Sequence, residues 1–135
     1  MKKITVISLL VLATASCKKT TSVLPSPSPR QLILGSWALK SIETKEFKGD
    51  TLIKNTVQNV PYIDSLTFMN SNSYVKRIGN GFLSGNYDLI GNQVLLMGDN
   101  QLHILTLNTN QLSYLSFTRV TGSSTTQQIL TYTKN

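Results

Sequence analysis

From Trp37 to the C-terminus, hydrophobic residues do not recur at helical spacing. Short apolar or alternating runs are instead divided by clusters of Gly, Asn and Asp. The runs predict strands at Ser36–Thr44, Thr51–Val60, Ser65–Met69, Ser73–Ile78, Phe82–Leu89, Gln93–Met97, Gln101–Leu107, Gln111–Val120 and Thr126–Thr133. The breaks between them recur every eight to thirteen residues, the spacing of an all-β sandwich or barrel. Several are tight links such as Gly91–Asn92 and Asp99–Asn100, which suit hairpins and give an antiparallel up-and-down order. Alternation assigns faces. Leu83, Gly85, Tyr87 and Leu89 oppose Ser84, Asn86 and Asp88; Leu66 and Phe68 oppose Ser65 and Thr67; Leu115 and Phe117 oppose Tyr114, Ser116 and Thr118. His103 falls beside Leu105 and Leu107. Gln93–Met97 and Leu102–Leu107 are apolar on both faces, which calls for a cover outside the sheet. A meander of eight or nine strands exposes two edges unless it closes, so a barrel of about eight strands is expected, with a β-sandwich as the alternative.

The stretch before the strands reads as a short capped helix. Ser28 is the expected N-cap, Pro29 suits the first helical position, and Gln31 completes a capping box. Leu32, Ile33 and Leu34 form an apolar plug, and Gly35 can end the helix. Fewer than two turns cannot stand alone in water, so this helix must pack on the strands.

Earlier still, Met1–Lys3 is a positive segment followed by an apolar run of twelve, Ile4–Ala15. A bilayer core of about 30 Å needs about 20 residues, so the run reads as a signal-peptide core rather than a span. Thr14–Ala15–Ser16–Cys17 resembles the lipobox of bacterial lipoproteins, and Lys18–Lys19 after it resembles many lipoproteins of Bacteroidetes. The resemblance implies cleavage before Cys17, a diacylglycerol on its sulfur and an acylated N-terminus. Ordinary secretion is the alternative, since Ala13–Thr14–Ala15 is itself an A-x-A cleavage site. Pro25, Pro27 and Pro29 alternate with serines, and such a tether, at about 3.1 Å per residue, reaches up to ~35 Å from the membrane. The expected organisation is therefore a signal peptide (1–16), a lipidated cysteine with a Pro/Ser-rich tether (17–30), and one domain (31–135). Surface-export signals in that lineage place acidic residues after the cysteine. Lysines stand here, which favours the periplasmic face of the outer membrane over the cell surface.

Composition narrows the chemistry. Loss of Lys2 and Lys3 takes the formal charge from +7 to +5. Lys40, Lys45, Lys48 and Lys54 alternate with Glu43, Glu46 and Asp50 as on a solvated face, and no basic run is interleaved with stacking aromatics, so nucleic acid is not an expected partner. One cysteine excludes an intrachain disulfide. One histidine, His103, makes neither a zinc site nor a recognisable triad, and the six acidic residues lie at turns or among lysines. No enzyme, metal or cofactor is expected. The aromatics Tyr62, Phe68, Tyr74, Phe82, Tyr87, Tyr114 and Phe117 are candidates for core or cavity wall; Phe68, Tyr87 and Phe117 are the chosen cavity residues.

Gly35–Ser36–Trp37, after a short helix and opening the first strand, matches the G-x-W motif of lipocalins. With Leu66–Phe68, Ser84–Tyr87 and Leu105–Leu107, residues 31–135 resemble the lipocalin-like lipoproteins of Bacteroidetes. The resemblance implies an all-β, antiparallel up-and-down lipocalin-like barrel with a short N-terminal helix. It also implies that the Trp37 indole closes one end beneath a basic side chain, for which Arg119 is preferred to Lys134. It further implies a small apolar or amphipathic ligand inside the barrel. The alternative is a filled barrel that binds an envelope protein, as adaptor or inhibitor. Asp50–Thr51–Leu52 and Asp64–Ser65–Leu66 resemble the O-glycosylation motif of secreted Bacteroidetes proteins, which marks Thr51 and Ser65.

Overall fold

A computed structural model describes residues 25–61 and 64–135. A five-residue helix α1 (Pro29–Ile33) precedes nine strands: β1 (Gly35–Lys48), β2 (Thr51–Asn59), β3 (Ser65–Phe68), β4 (Ser73–Ile78), β5 (Gly81–Ile90), β6 (Val94–Met97), β7 (Asn100–Leu107), β8 (Gln111–Thr121) and β9 (Ser124–Lys134). The capping box forms as the sequence predicts, with the Gln31 amide donating to Ser28 Oγ and the Ser28 amide to Gln31 Oε1.

Neighbouring strands run antiparallel from β3 to β9. β1 then pairs with β3 on one side and β9 on the other, which closes an eight-stranded up-and-down barrel. β2 is the strand left out of the wall. β1 is fourteen residues long: Gly35–Ala38 pairs with β3, Ser41–Lys48 pairs with β2, and β9 runs along both stretches. The upper half of β1 therefore rises beyond the barrel as part of a four-stranded extension, β2–β1–β9–β8. A wall strand sends alternate side chains into the core, whereas all nine residues of β2 are exposed.

The end of the barrel at Trp37 is closed. Trp37, Leu66, Phe68, Leu95, Leu112 and Tyr132 point inward and are each no more than 2% exposed, so the lower barrel is solid with side chains. Ile33 of α1 joins them, and α1 packs against β7. An exposed ion pair from Arg30 to Asp88, with a second Arg30 hydrogen bond to Asn72 Oδ1 (2.7 Å), fixes the helix to β5 and the β3–β4 turn. Among the described residues every core side chain lies between Ile33 and Tyr132, and the sheet closes within 35–134, so residues 28–135 contain that core and the closed sheet entire.

The ladders slip in three places within the wall: between Leu39 and Ser41, Ile104 and Thr106, and Leu115 and Phe117. Each bulge reverses the side-chain phase. The expectation that Leu115 and Phe117 share a face is thereby corrected. Leu115 pairs with Ile129 on the outside, while Phe117 pairs with Gln128 on the face of Tyr114 and Leu130. Likewise His103 pairs with Leu115 on the outside, whereas Leu107 pairs with buried Leu112.

Candidate functional site

The two ends of the barrel differ in chemistry. At the closed end the Trp37 indole is fully buried, and its Nε1–H donates to the Ile33 carbonyl at 2.7 Å. Lys134 Nζ lies 4.9 Å from the indole centroid and donates to the Leu32 carbonyl at 3.0 Å. One lysine thus covers the tryptophan and ties the end of α1 to the last strand. The preference for Arg119 is corrected: Arg119 pairs with Thr126 in the extension, at the far end of β8. The antiparallel β1–β9 ladder sets Trp37 opposite Lys134, so the register decides the matter.

Gly35 belongs to the same plug. Its φ is +110°, and a Cβ there would stand 3.2 Å from Lys134 Cε. Gly35→Ala is expected to lower the unfolding free energy by about 1–3 kcal/mol, from backbone strain and displacement of Lys134. Urea unfolding followed by Trp37 fluorescence reads this directly.

At the opposite end the barrel opens. Inward-facing residues of β4 to β8 enclose a cleft of about 250 Å³: Tyr74, Lys76, Leu83 and Met97 on one side, Asn100, Leu102, Tyr114 and Ser116 on the other. Its deeper aromatic wall is held by Tyr114, whose hydroxyl meets that of Tyr132 at 3.2 Å, with the rings stacked 5.7 Å apart. Burial pushes both phenols up in pKa, Tyr132 furthest, so both stay neutral hydroxyls. Tyr74 lies over Gly85 of β5, where an added Cβ would be 3.1 Å from its ring. Leu83, Ile78 and Phe117 are 58%, 46% and 43% exposed, and each lies on the inward-facing side at or above the rim.

The cavity residues chosen from sequence fall elsewhere. Phe68 and Tyr87 pack edge to face at 4.8 Å in the solid lower barrel, with the Tyr87 hydroxyl donating to the Met69 carbonyl. Phe117 stands above the cleft. Tyr74 and Tyr114, from the wider aromatic set, are the ones that line it. Lys76 escaped the sequence reading, although it is in phase with Tyr74 and its cross-strand partners on that face are Leu66 and Leu83.

A larger groove, about 510 Å³, lies at the closed end between α1, the Asn92–Gln93 turn and β7. Asn92, Gln93 and His103 supply its polar lining, and His103 Nδ1 sits 3.1 Å from the Gln93 carbonyl and 3.2 Å from that of Ile104. Thr51 is exposed at the start of β2, whereas Ser65 is half-buried between β1 and β4. Cys17 and Tyr62 lie outside the described residues. Among the described residues no three His, Cys, Asp or Glu side chains cluster to hold a metal ion. No known family model matches the chain, and no curated protein matches it.

Proposed function

We propose that this chain is a lipocalin-like lipoprotein, anchored through lipid on Cys17 to the periplasmic face of the outer membrane, and that its barrel binds one small apolar or amphipathic ligand. The observation that carries the ligand reading is the cleft of about 250 Å³ at the end away from Trp37, where Tyr74, Tyr114, Leu83, Met97 and Leu102 meet the polar Lys76, Asn100 and Ser116. Drug-sized ligands occupy pockets of about 300–1,000 Å³, so the ligand is a small one, held at the mouth above a solid core. The protein acts as a carrier or sensor rather than an enzyme. Ser116→Trp places a large ring in the cleft. A small molecule that copurifies with the wild-type protein is expected to be lost from this variant, as read by mass spectrometry of the denatured extract.

The anchor has a separate test. Cys17→Ser is expected to leave the precursor unprocessed by the lipoprotein pathway and to abolish acylation, read by fractionation and intact mass. Unchanged processing and membrane attachment would remove the lipoprotein reading. A second reading, binding of an envelope protein, is favoured by the extension, where Leu52, Ile53, Val57 and Val120 are 48–68% exposed. Crosslinking in the native envelope through β2 tests it.

A further inference from the structure

Lys76 is the one charged residue lining the mouth cleft, where its company is three aliphatic side chains, two tyrosines, an asparagine and a serine. It is half-buried, between Leu66 and Leu83 in the cross-strand register. Apolar neighbours cover its stem, and its ammonium at the open mouth is placed to meet an anionic group. The ion pairs among the described residues are Arg30–Asp88, Lys45–Glu43 and Lys54–Glu46, and Lys76 is in none of them. The three remaining side-chain carboxylates, Asp50, Asp64 and Asp99, do not line the cleft either. Asp64 accepts from the Gly79 amide at 2.9 Å, and Asp99 is exposed in the turn between β6 and β7.

We infer that the cleft is built for a small organic anion with a flat apolar body: its carboxylate or similar acidic group meets Lys76, and its ring lies against Tyr74 and Tyr114. This rests on the ligand-binding reading above and narrows it. The missing side chain at Gly85 lets the Tyr74 ring lie across β5 and present a face for stacking. Burial keeps the Tyr114 phenol protonated, so that side of the cleft adds no negative charge of its own. Leu83 and Phe117 shield the apolar body at the rim.

A matched pair of probes separates charge from shape: 2-naphthoate and its neutral isostere 2-naphthamide. Each is titrated into the ¹⁵N-labelled barrel, residues 28–135, and the amide shifts of Tyr74, Leu102 and Ser116 are followed. In the wild-type protein both probes are expected to shift these amides, the naphthoate binding about tenfold more tightly, the margin of one charge-assisted hydrogen bond. Lys76→Met is expected to erase the difference between the two probes, and Lys76→Arg to keep it. Equal affinities in the wild type, or a preference that survives Lys76→Met, would overturn the anion inference and leave the ligand reading intact. If neither probe shifts the mouth amides while the spectrum remains that of the folded barrel, the ligand reading falls and the anion inference with it.

Discussion

Replacing Trp37 with alanine is expected to lower the unfolding free energy by about 3–5 kcal/mol, the largest effect of any single side chain in the barrel. The indole is fully buried and joins α1, through the Ile33 carbonyl, to β9, through Lys134. Its removal leaves a cavity at the closed end and orphans the Ile33 carbonyl. It also strips Lys134 of the ring beneath it, and the five-residue α1 loses one of the contacts that hold it to the barrel. A small domain has about 5–15 kcal/mol in all, so the variant loses a large fraction of its stability. Trp37→Phe keeps most of the apolar area and is expected to cost about 1–2 kcal/mol, largely the lost hydrogen bond. Far-ultraviolet circular dichroism in urea is the right readout, because the alanine variant has no tryptophan signal. A loss below about 1 kcal/mol for Trp37→Ala would mean that this end is not held as described.

The second large effect is alkaline unfolding. Tyr132 is raised well above its ordinary pKa of 10, first by burial and then by the charge and hydrogen bond of Tyr114. Tyr114 is raised for the same first reason. A raised phenol pKa means that the folded state favours the neutral form. The associated stability is fully present below pH 10 and is lost as pH rises above it, because the unfolded chain releases protons that the folded chain retains. Tyr132 alone is expected to make stability fall as pH rises above 10, by at most about 1.4 kcal/mol per pH unit while the folded phenol stays neutral. Urea midpoints measured from pH 8 to 12 should fall steeply above 10. Tyr132→Phe should flatten the slope, since phenylalanine cannot ionise. An unchanged slope in that variant would contradict the buried tyrosine pair.

The sequence carried much of this architecture because the signals were local. The capping box at Ser28–Gln31, the Gly and Asn turns and the alternation in Leu83–Leu89 each act over a few residues, and the fold obeys them. What it hid depends on register. A bulge adds one residue to one strand and flips everything beyond it, and nothing in the residue types around Ser116 or Leu105 announces it. Plain alternation therefore puts Phe117 on the face of Leu115 and His103 on that of Leu107, and the bulges reverse both. The basic partner of Trp37 is a matter of register too. Arg119 has the better ring for stacking, but the β1–β9 ladder delivers Lys134. The mouth cleft was legible only in part. Tyr74 and Tyr114 belong to the aromatic set, whereas Lys76 reads as an ordinary surface lysine until Leu66 and Leu83 are found beside it in the sheet.

The barrel divides into a solid half at Trp37 and an open half that holds the cleft. The side chains that fill the lower barrel have no exchangeable space, and the cleft costs little packing because it lies at the rim. β2 adds area without adding core, whereas Ile42 and Leu130 in the upper parts of β1 and β9 still pack on the core.

Native mass spectrometry of the protein purified gently from its own envelope tests the central claim most directly. A reproducible extra mass, lost on denaturation and absent from Ser116→Trp, is the expected result, and that mass begins to identify the ligand. A bare polypeptide mass for the wild-type protein from that source would contradict the binding function and leave the exposed β2 extension as the working surface.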